Sequence, residues 1–155
     1  MTAAKVAWVT TISRTFDVRP APETVLEYLK DFGHAEEWDP GTESCTRIDR
    51  GPIAVGSSWH NVSKIAGVST ELTYTLEQLT GDTIVVVGHN ETATSTDTMT
   101  IVPNPDGAGT RVTYEAVIEM SGAAKLATPV VKVVFEKIGS DTEDDMTVVL
   151  NRLGG

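Results

Sequence analysis

The sequence predicts an α+β fold in which a curved antiparallel sheet of six or seven strands wraps around a long C-terminal helix. Two changes of period predict it. Between residues 43 and 120, apolar and polar residues alternate with period two, and glycine, proline, asparagine and aspartate interrupt the alternation, as in short strands joined by tight turns. After Gly122 the apolar residues recur with the period of a helix. Threonine and valine, which favour strands, are both abundant.

The N-terminal segment predicts one strand followed by two short helices. Alternation over residues 6–19 indicates a strand with one buried face, formed by Val6, Trp8, Ile12, Phe16 and Val18. The Pro22-Glu23 pair is typical of a first helical turn. The helix that starts there ends at Gly33, and its apolar residues at helical spacing are Val25, Leu26, Leu29 and Phe32. A second short helix is predicted from His34 to Trp38.

Six further strands are predicted in the centre of the chain. They cover residues 43–50, 56–66, 68–79, 83–90, 94–102 and 110–121. Turn-forming residues separate them at Gly51-Pro52, Gly67, Gly81-Asp82, Asn90-Glu91-Thr92 and 103–109. Because short strands joined by tight turns pair with their neighbours in the chain, we expect an antiparallel meander.

The last predicted element is a helix over residues 126–152. Its apolar stripe consists of Val131, Val134, Phe135, Ile138, Met146, Val149, Leu150 and Leu153. No other long amphipathic element can cover the apolar face of the sheet. We therefore expect this helix to lie lengthwise across the concave face and to bury Val131, Val134, Phe135 and Ile138. Gly139 costs about 1 kcal/mol of helix propensity, and it either kinks the helix or allows a strand to approach closely.

Length, charge and cysteine content exclude several classes of protein. A chain of 155 residues fits one domain, residues 1–155. Its formal net charge of −10 disfavours binding to nucleic acid or to anionic membranes. A single cysteine excludes an intrachain disulfide, and no apolar run is long enough to span a membrane. We expect a cytoplasmic protein without stable membrane insertion, as a monomer or homodimer.

The negative charge is concentrated in residues 20–50 and 136–145, both predicted to be largely helical. Solvated outer helix faces account for this pattern. Docking of a basic partner is the alternative.

Motifs for cofactor, metal and nucleophile sites are missing from the sequence. The segment Gly56-Ser57-Ser58 lacks the second glycine of a hydrolase elbow, and Gly107-Ala108-Gly109 precedes a predicted strand instead of a helix. The three histidines lie on separate predicted elements, which disfavours a zinc site. We therefore expect no metal and no tightly bound cofactor.

Several short motifs, in their order, resemble those of the START / Bet v 1 / polyketide cyclase superfamily of helix-grip proteins. They are Ala21-Pro22-Glu23-Thr24-Val25, Glu37-Trp38-Asp39-Pro40, Val55-Gly56-Ser57-Ser58-Trp59 and Gly109-Thr110-Arg111-Val112-Thr113-Tyr114. The resemblance covers nearly the whole chain and is strongest to the bacterial polyketide cyclase/dehydrase-like branch. It implies a hydrophobic cavity for lipids, polyketides or similar ligands. It does not imply catalysis, because the superfamily has no universal catalytic residue.

Hairpin geometry predicts which side chains line such a cavity. A turn at Ala66-Gly67 pairs Trp59 with Tyr74 and Asn61 with Leu72, and a turn at Gly81-Asp82 pairs Tyr74 with His89. Cross-strand partners share a face, and the apolar parity of Leu72, Tyr74 and Leu76 makes this face the inner one. The predicted ligand-binding residues are Trp59, Asn61, Tyr74, His89, Asp97, Met99, Tyr114 and Phe135. A shift of one residue would invert each assignment.

Three functions fit these expectations. The first is a carrier or sensor that binds a hydrophobic small molecule in an internal cavity. The second is an aromatase/cyclase-type enzyme in which His89 or Tyr74 moves protons during cyclisation and dehydration of a polyketide-like chain. The third is a protein-interaction module, which a large exposed apolar patch would favour.

Overall fold

Seven strands form a single antiparallel sheet. The computed structural model describes residues 6–65, 67–121 and 129–154, with the side chains of residues 8–65, 67–121 and 132–154. The strands are β1 (Val6–Val18), β2 (Thr42–Arg47), β3 (Ser58–Ile65), β4 (Val68–Leu79), β5 (Thr83–His89), β6 (Ala93–Pro103) and β7 (Thr110–Ser121). Their spatial order is β1-β7-β6-β5-β4-β3-β2, so β2 to β7 form the predicted meander and β1 pairs with β7.

The helices follow the predicted order. They are α1 (Pro22–Leu29) and α2 (Ala35–Trp38), with a 3₁₀ turn at Phe32–His34 between them, and α3 (Pro129–Asn151). The predicted start of the last helix, at residue 126, lies outside the described residues. None of the described helices combines the length and hydropathy needed to cross a membrane. The helix-grip α+β architecture predicted from the sequence is confirmed.

The short helices pack against the sheet through buried apolar side chains. Pro22 begins α1, where its missing N–H removes no helical hydrogen bond. The side chains of Val25 and Leu29 are fully buried. The Asp31 carboxylate accepts hydrogen bonds from the backbone N–H of Gly33 (2.9 Å) and from the indole Nε1 of Trp59 (3.1 Å). This carboxylate therefore fastens the 3₁₀ turn to β3.

Helix α3 packs against the sheet closely at Gly139. A Cβ on this residue would lie 2.7 Å from Cγ2 of Ile12 and 3.0 Å from Nη2 of Arg14. Of the two explanations for Gly139, the structure supports close approach to a strand. Phe135 is 8% exposed, whereas Val134 and Ile138 are half-buried. The side chain of Val131 lies outside the described ones.

The predicted register is right for one hairpin and wrong for the next. Between β3 and β4, Trp59 pairs with Tyr74 and Asn61 with Leu72, as predicted. Between β4 and β5, the register shifts between Leu76 and Gln78, which is a β-bulge. Tyr74 therefore pairs with Gly88 and not with His89.

Candidate functional site

A cavity of about 120 Å³ lies between the inner face of the sheet and helix α3. Side chains of β1, β3, β4, β6, β7 and α3 line it, together with residues just after α2. The apolar residues of the lining are Ile12, Ile65, Leu72, Ala93, Ala116, Ile118, Met120, Phe135 and Ile138. Its polar side chains belong to Asp39, Ser63, Thr70, Tyr74, Ser95, Asp97, Tyr114 and Thr142. A mostly apolar cavity with a few polar groups is the usual form of a small-molecule site.

The Asp97 carboxyl is at the centre of a hydrogen-bonded cluster of polar side chains in the cavity wall. Asp97 is 3% exposed. Its Oδ1 accepts a hydrogen bond from the Ser95 hydroxyl (2.8 Å), and its Oδ2 accepts one from the Tyr114 hydroxyl (2.7 Å). Burial raises the pKa of Asp97 to about 6, although both hydrogen bonds act in the opposite direction. The carboxyl can therefore hold or release a proton near neutral pH.

The Tyr74 hydroxyl supplies a hydrogen-bond donor to the same wall. The residue is 7% exposed and lines the cavity, and its hydroxyl lies within hydrogen-bonding reach of Ser95. Burial raises the pKa of Tyr74 well above its usual value, and the charge of Asp97 adds to this effect. Tyr74 therefore keeps its proton at neutral pH.

A second polar group connects α2 to β2 and β3. The Asp39 carboxylate accepts hydrogen bonds from Gly41 N (3.0 Å) and the Thr42 hydroxyl (2.9 Å). Asn61 Nδ2 donates to Thr42 Oγ1 (3.2 Å), and the Ser63 hydroxyl donates to Asn61 Oδ1 (2.6 Å). Burial raises the pKa of Asp39, and the charge of Asp145 on α3 raises it further. The cavity wall thus contains two carboxyl groups.

Four of the eight predicted ligand-binding residues lie at the cavity. They are Tyr74, Asp97, Tyr114 and Phe135. Three others face inwards but are packed beneath the lining: Trp59, Asn61 and Met99, each at most 1% exposed. Their side chains are occupied by protein contacts, since Trp59 is bonded to Asp31 and Asn61 to Thr42 and Ser63.

His89 was predicted to face the cavity, and this prediction is wrong. It lies exposed on the outer face of the sheet, where its partners are Thr73 on β4 and Thr94 on β6. The bulge in β4 is the reason, because one extra residue inverts the face of every later partner. Along β4 the apolar residues recur every second position up to Leu76, but the next one, Leu79, comes three positions later. This break in the alternation indicates the bulge from the sequence alone.

Five polar residues of the lining were missing from the predicted site: Asp39, Ser63, Thr70, Ser95 and Thr142. Ser95 has the same parity as Asp97 and Met99 on β6, so the alternation alone could have found it. Asp39 follows a four-residue helix, and no periodicity places such a residue at a sheet. No cluster of three or more histidine, cysteine, aspartate or glutamate side chains suited to a metal ion occurs in the part of the chain that the structure describes.

Comparison with known proteins identifies the family. Residues 9–153 match the sequence profile of the family described as polyketide cyclase / dehydrase and lipid transport. The chain belongs to this family. None of the curated proteins matches it in sequence.

Solved structures similar to this family member share its fold. An aromatase/cyclase from a Streptomyces species has a TM-score of 0.75 at 14% identity, with 94% of this chain and 95% of that chain covered. A START superfamily protein from Mycobacterium smegmatis has a TM-score of 0.72 at 16% identity, covering 93% and 99%. A Thermus thermophilus protein has a TM-score of 0.77 at 14% identity, covering 94% and 100%. At these identities the likeness concerns the fold.

Proposed function

We propose that this protein binds a hydrophobic small molecule, such as a lipid, a polyketide or a similar compound, in the cavity between the sheet and α3, as a carrier or sensor. One observation carries the proposal: a mostly apolar lining around a few polar groups, Asp97 and Tyr74 among them. The family description, which includes lipid transport, supports it.

The volume of the cavity limits the size of the ligand that can bind without rearrangement of the protein. A volume of about 120 Å³ is below the ~300–1,000 Å³ of common ligand pockets and close to the ~150 Å³ that accommodates benzene in an engineered apolar cavity. We therefore expect single-ring molecules to bind without rearrangement. A longer lipid or polyketide requires side chains of the lining to move.

Binding can be measured with 4-fluorotoluene, a single-ring apolar probe, by ¹⁹F NMR titration. The matched variants are Ala116→Phe, which adds a ring on the inner face of β7 where Ala116 lines the cavity, and Val117→Phe, which adds the same ring one residue later, on the outer face. Wild type and Val117→Phe should bind the probe, and Ala116→Phe should bind it at least tenfold more weakly. Ala93→Phe is a second inner-face variant in case Ala116→Phe does not fold.

Equal binding by Ala116→Phe and Val117→Phe would contradict a site in this cavity. Failure of 4-fluorotoluene to bind to the wild-type protein would contradict the proposed function itself.

Acid–base catalysis is a second candidate function, and the Asp97–Tyr114 hydrogen bond favours it. A carboxyl with a pKa of about 6 beside a phenol can take a proton from a carbon next to a carbonyl. His89 lies on the outer face of the sheet and cannot take part in such a reaction in the cavity. Of the two predicted catalytic residues, Tyr74 alone lies at the cavity. The test is exchange of the methyl protons of 4-fluoroacetophenone in D₂O. Exchange no faster than with Asp97→Asn would exclude this role.

The protein-interaction role remains a prediction. The large hydrophobic residues that are exposed in the described chain lie on β1, on the connection from β2 to β3, at the start of β4 and on α3. They give no argument for a particular partner.

A further inference from the structure

Resting on the proposed function, we propose that the cavity selects hydrophobic molecules whose polar end is uncharged or cationic and donates hydrogen bonds, and that it excludes carboxylates and other anions. The residues that set this selection are Asp39, Asp97 and Tyr74.

The charges of the lining all have one sign. Asp39 and Asp97 supply two carboxyl groups, and no lysine, arginine or histidine belongs to the lining among the described residues. The two carboxyl groups act on each other, because the charge of Asp39 disfavours ionisation of Asp97. A third acid, Asp145 on α3, acts on Asp39 in the same way. An anionic guest would meet this repulsion in a poorly solvated space, where charges interact more strongly than in water.

Arg14, a base on the inner face of β1, is already paired with a carboxylate. Arg14 on β1 pairs across the strands with Tyr114. Its Nη2 lies 3.2 Å from a carboxylate oxygen of Glu136 and 3.2 Å from the carbonyl oxygen of the same residue. These contacts direct the guanidinium to α3, and Arg14 is absent from the lining. It therefore does not offer its charge to a guest.

The hydrogen-bonding groups of the wall also favour a guest that donates. The hydroxyls of Ser95 and Tyr114 already donate to Asp97, and that of Thr42 donates to Asp39. Each carboxylate has room for a further donor, because its two oxygens offer about four lone-pair positions. The Tyr74 side chain lines the cavity within hydrogen-bonding reach of Ser95, so its hydroxyl can also donate to an acceptor atom of a guest. An alcohol or amine group can donate to a carboxylate, and an alcohol can also accept from Tyr74.

The experiment compares three single-ring molecules that differ in the polar end alone: 4-fluorobenzylamine, 4-fluorobenzyl alcohol and 4-fluorobenzoate. Binding is measured by ¹⁹F NMR at pH 8, where Asp97 is ionised, with 4-fluorotoluene as the apolar reference. The amine and the alcohol should bind at least as tightly as 4-fluorotoluene, and the benzoate at least tenfold more weakly than the alcohol.

Variants test whether the two carboxyl groups cause the selection. In Asp39→Asn/Asp97→Asn the ratio of alcohol to benzoate affinity should fall at least threefold. The matched control Glu115→Gln removes a charge from the outer face of β7, next to Tyr114, and should leave the ratio unchanged. Should the double variant not fold, Asp97→Asn alone should lower the ratio.

Equal affinity of the wild-type protein for the alcohol and the benzoate would overturn the charge selection while the proposed function stands, since 4-fluorotoluene still binds. A ratio that is the same in wild type and in the folded Asn variants would also overturn it. If 4-fluorotoluene does not bind to the wild-type protein, both the proposed ligand binding and the proposed selection against anions are contradicted.

Discussion

The ring of Tyr74 lies against the backbone of Gly88, its partner on the neighbouring strand. A Cβ at Gly88 would come within 2.6 Å of Cζ of the ring. The Tyr74 side chain of β4 therefore covers the inner face of β5 at Gly88, and β5 supplies none of the described lining residues. This contact holds the Tyr74 hydroxyl in the cavity wall beside Ser95 and Asp97.

Gly88→Ala should lower the free energy of unfolding by about 1–3 kcal/mol, because the added methyl group overpacks the Tyr74 ring. Urea unfolding measures the loss. Gly81→Ala is the matched control, since a Cβ there meets nothing within 4 Å. Adding Tyr74→Leu to Gly88→Ala should recover part of the lost stability. Equal stability of the Gly88 and Gly81 variants would show that the ring does not cover the strand.

Asp97→Asn should change the pH dependence of stability. Burial raises the pKa of Asp97 from 3.8 to about 6, so the folded state binds the proton more tightly than the unfolded state. The contribution of this group is therefore most favourable below pH 4 and is lost as the pH rises through about 6. The shift corresponds to about 3 kcal/mol. Wild type should gain most of this amount, about 2–3 kcal/mol, relative to Asp97→Asn between pH 8 and pH 4.

The measurement is urea unfolding of both proteins across that range. Besides burial, the pKa of Asp97 is affected by the hydrogen bonds from Tyr114 and Ser95 and by the charge of Asp39. The charge of Asp97 acts in turn on Tyr74. The two tyrosines do not titrate in this range, because burial raises the pKa of each far above it. A difference in stability that does not vary with pH would contradict a buried Asp97 with a raised pKa.

Gly139→Ala should destabilise the protein although alanine is the better helix former. The substitution gains about 1 kcal/mol of helix propensity. Its Cβ would lie 2.7 Å from Cγ2 of Ile12, a branched side chain that cannot turn away easily. We expect a net loss of about 1–2 kcal/mol in thermal or urea unfolding. Asp144→Ala, at an exposed position of the same helix, should be neutral or stabilising. A stabilised Gly139→Ala variant would mean that α3 lies farther from β1.

The fold could be predicted because each element leaves a local pattern. Alternation, turn residues and the helical stripe after Gly122 specify seven strands and a covering helix. The two-residue spacing between Ile65 and Val68 also fixes the register of β3 against β4 correctly. Local pattern is sufficient here because the hairpin is regular along its whole length.

The site could be predicted in part, for two physical reasons. First, the bulge near Leu76 changes the register, so parity counted across the next turn gives the wrong face for His89. Second, parity tells which residues face inwards and not how deep they lie. Trp59 and Met99 share the inner face with Tyr74 and Tyr114, but they are buried completely in the core. How deeply an inward-facing side chain is buried depends on where α1, α2 and α3 pack against the sheet. The spacing of residues in the sequence does not carry this information.

The most direct test of the account is to locate bound 4-fluorotoluene by intermolecular NOEs to ¹³C-labelled methyl groups. A guest in the cavity should give NOEs from its methyl group to the methyl groups of Ala116, Ile118 and Ile12, which line the cavity. Val117 and Val85, on the outer face, should give none. NOEs to the outer-face valines without any to Ala116 and Ile118, or the absence of binding, would contradict an internal ligand site.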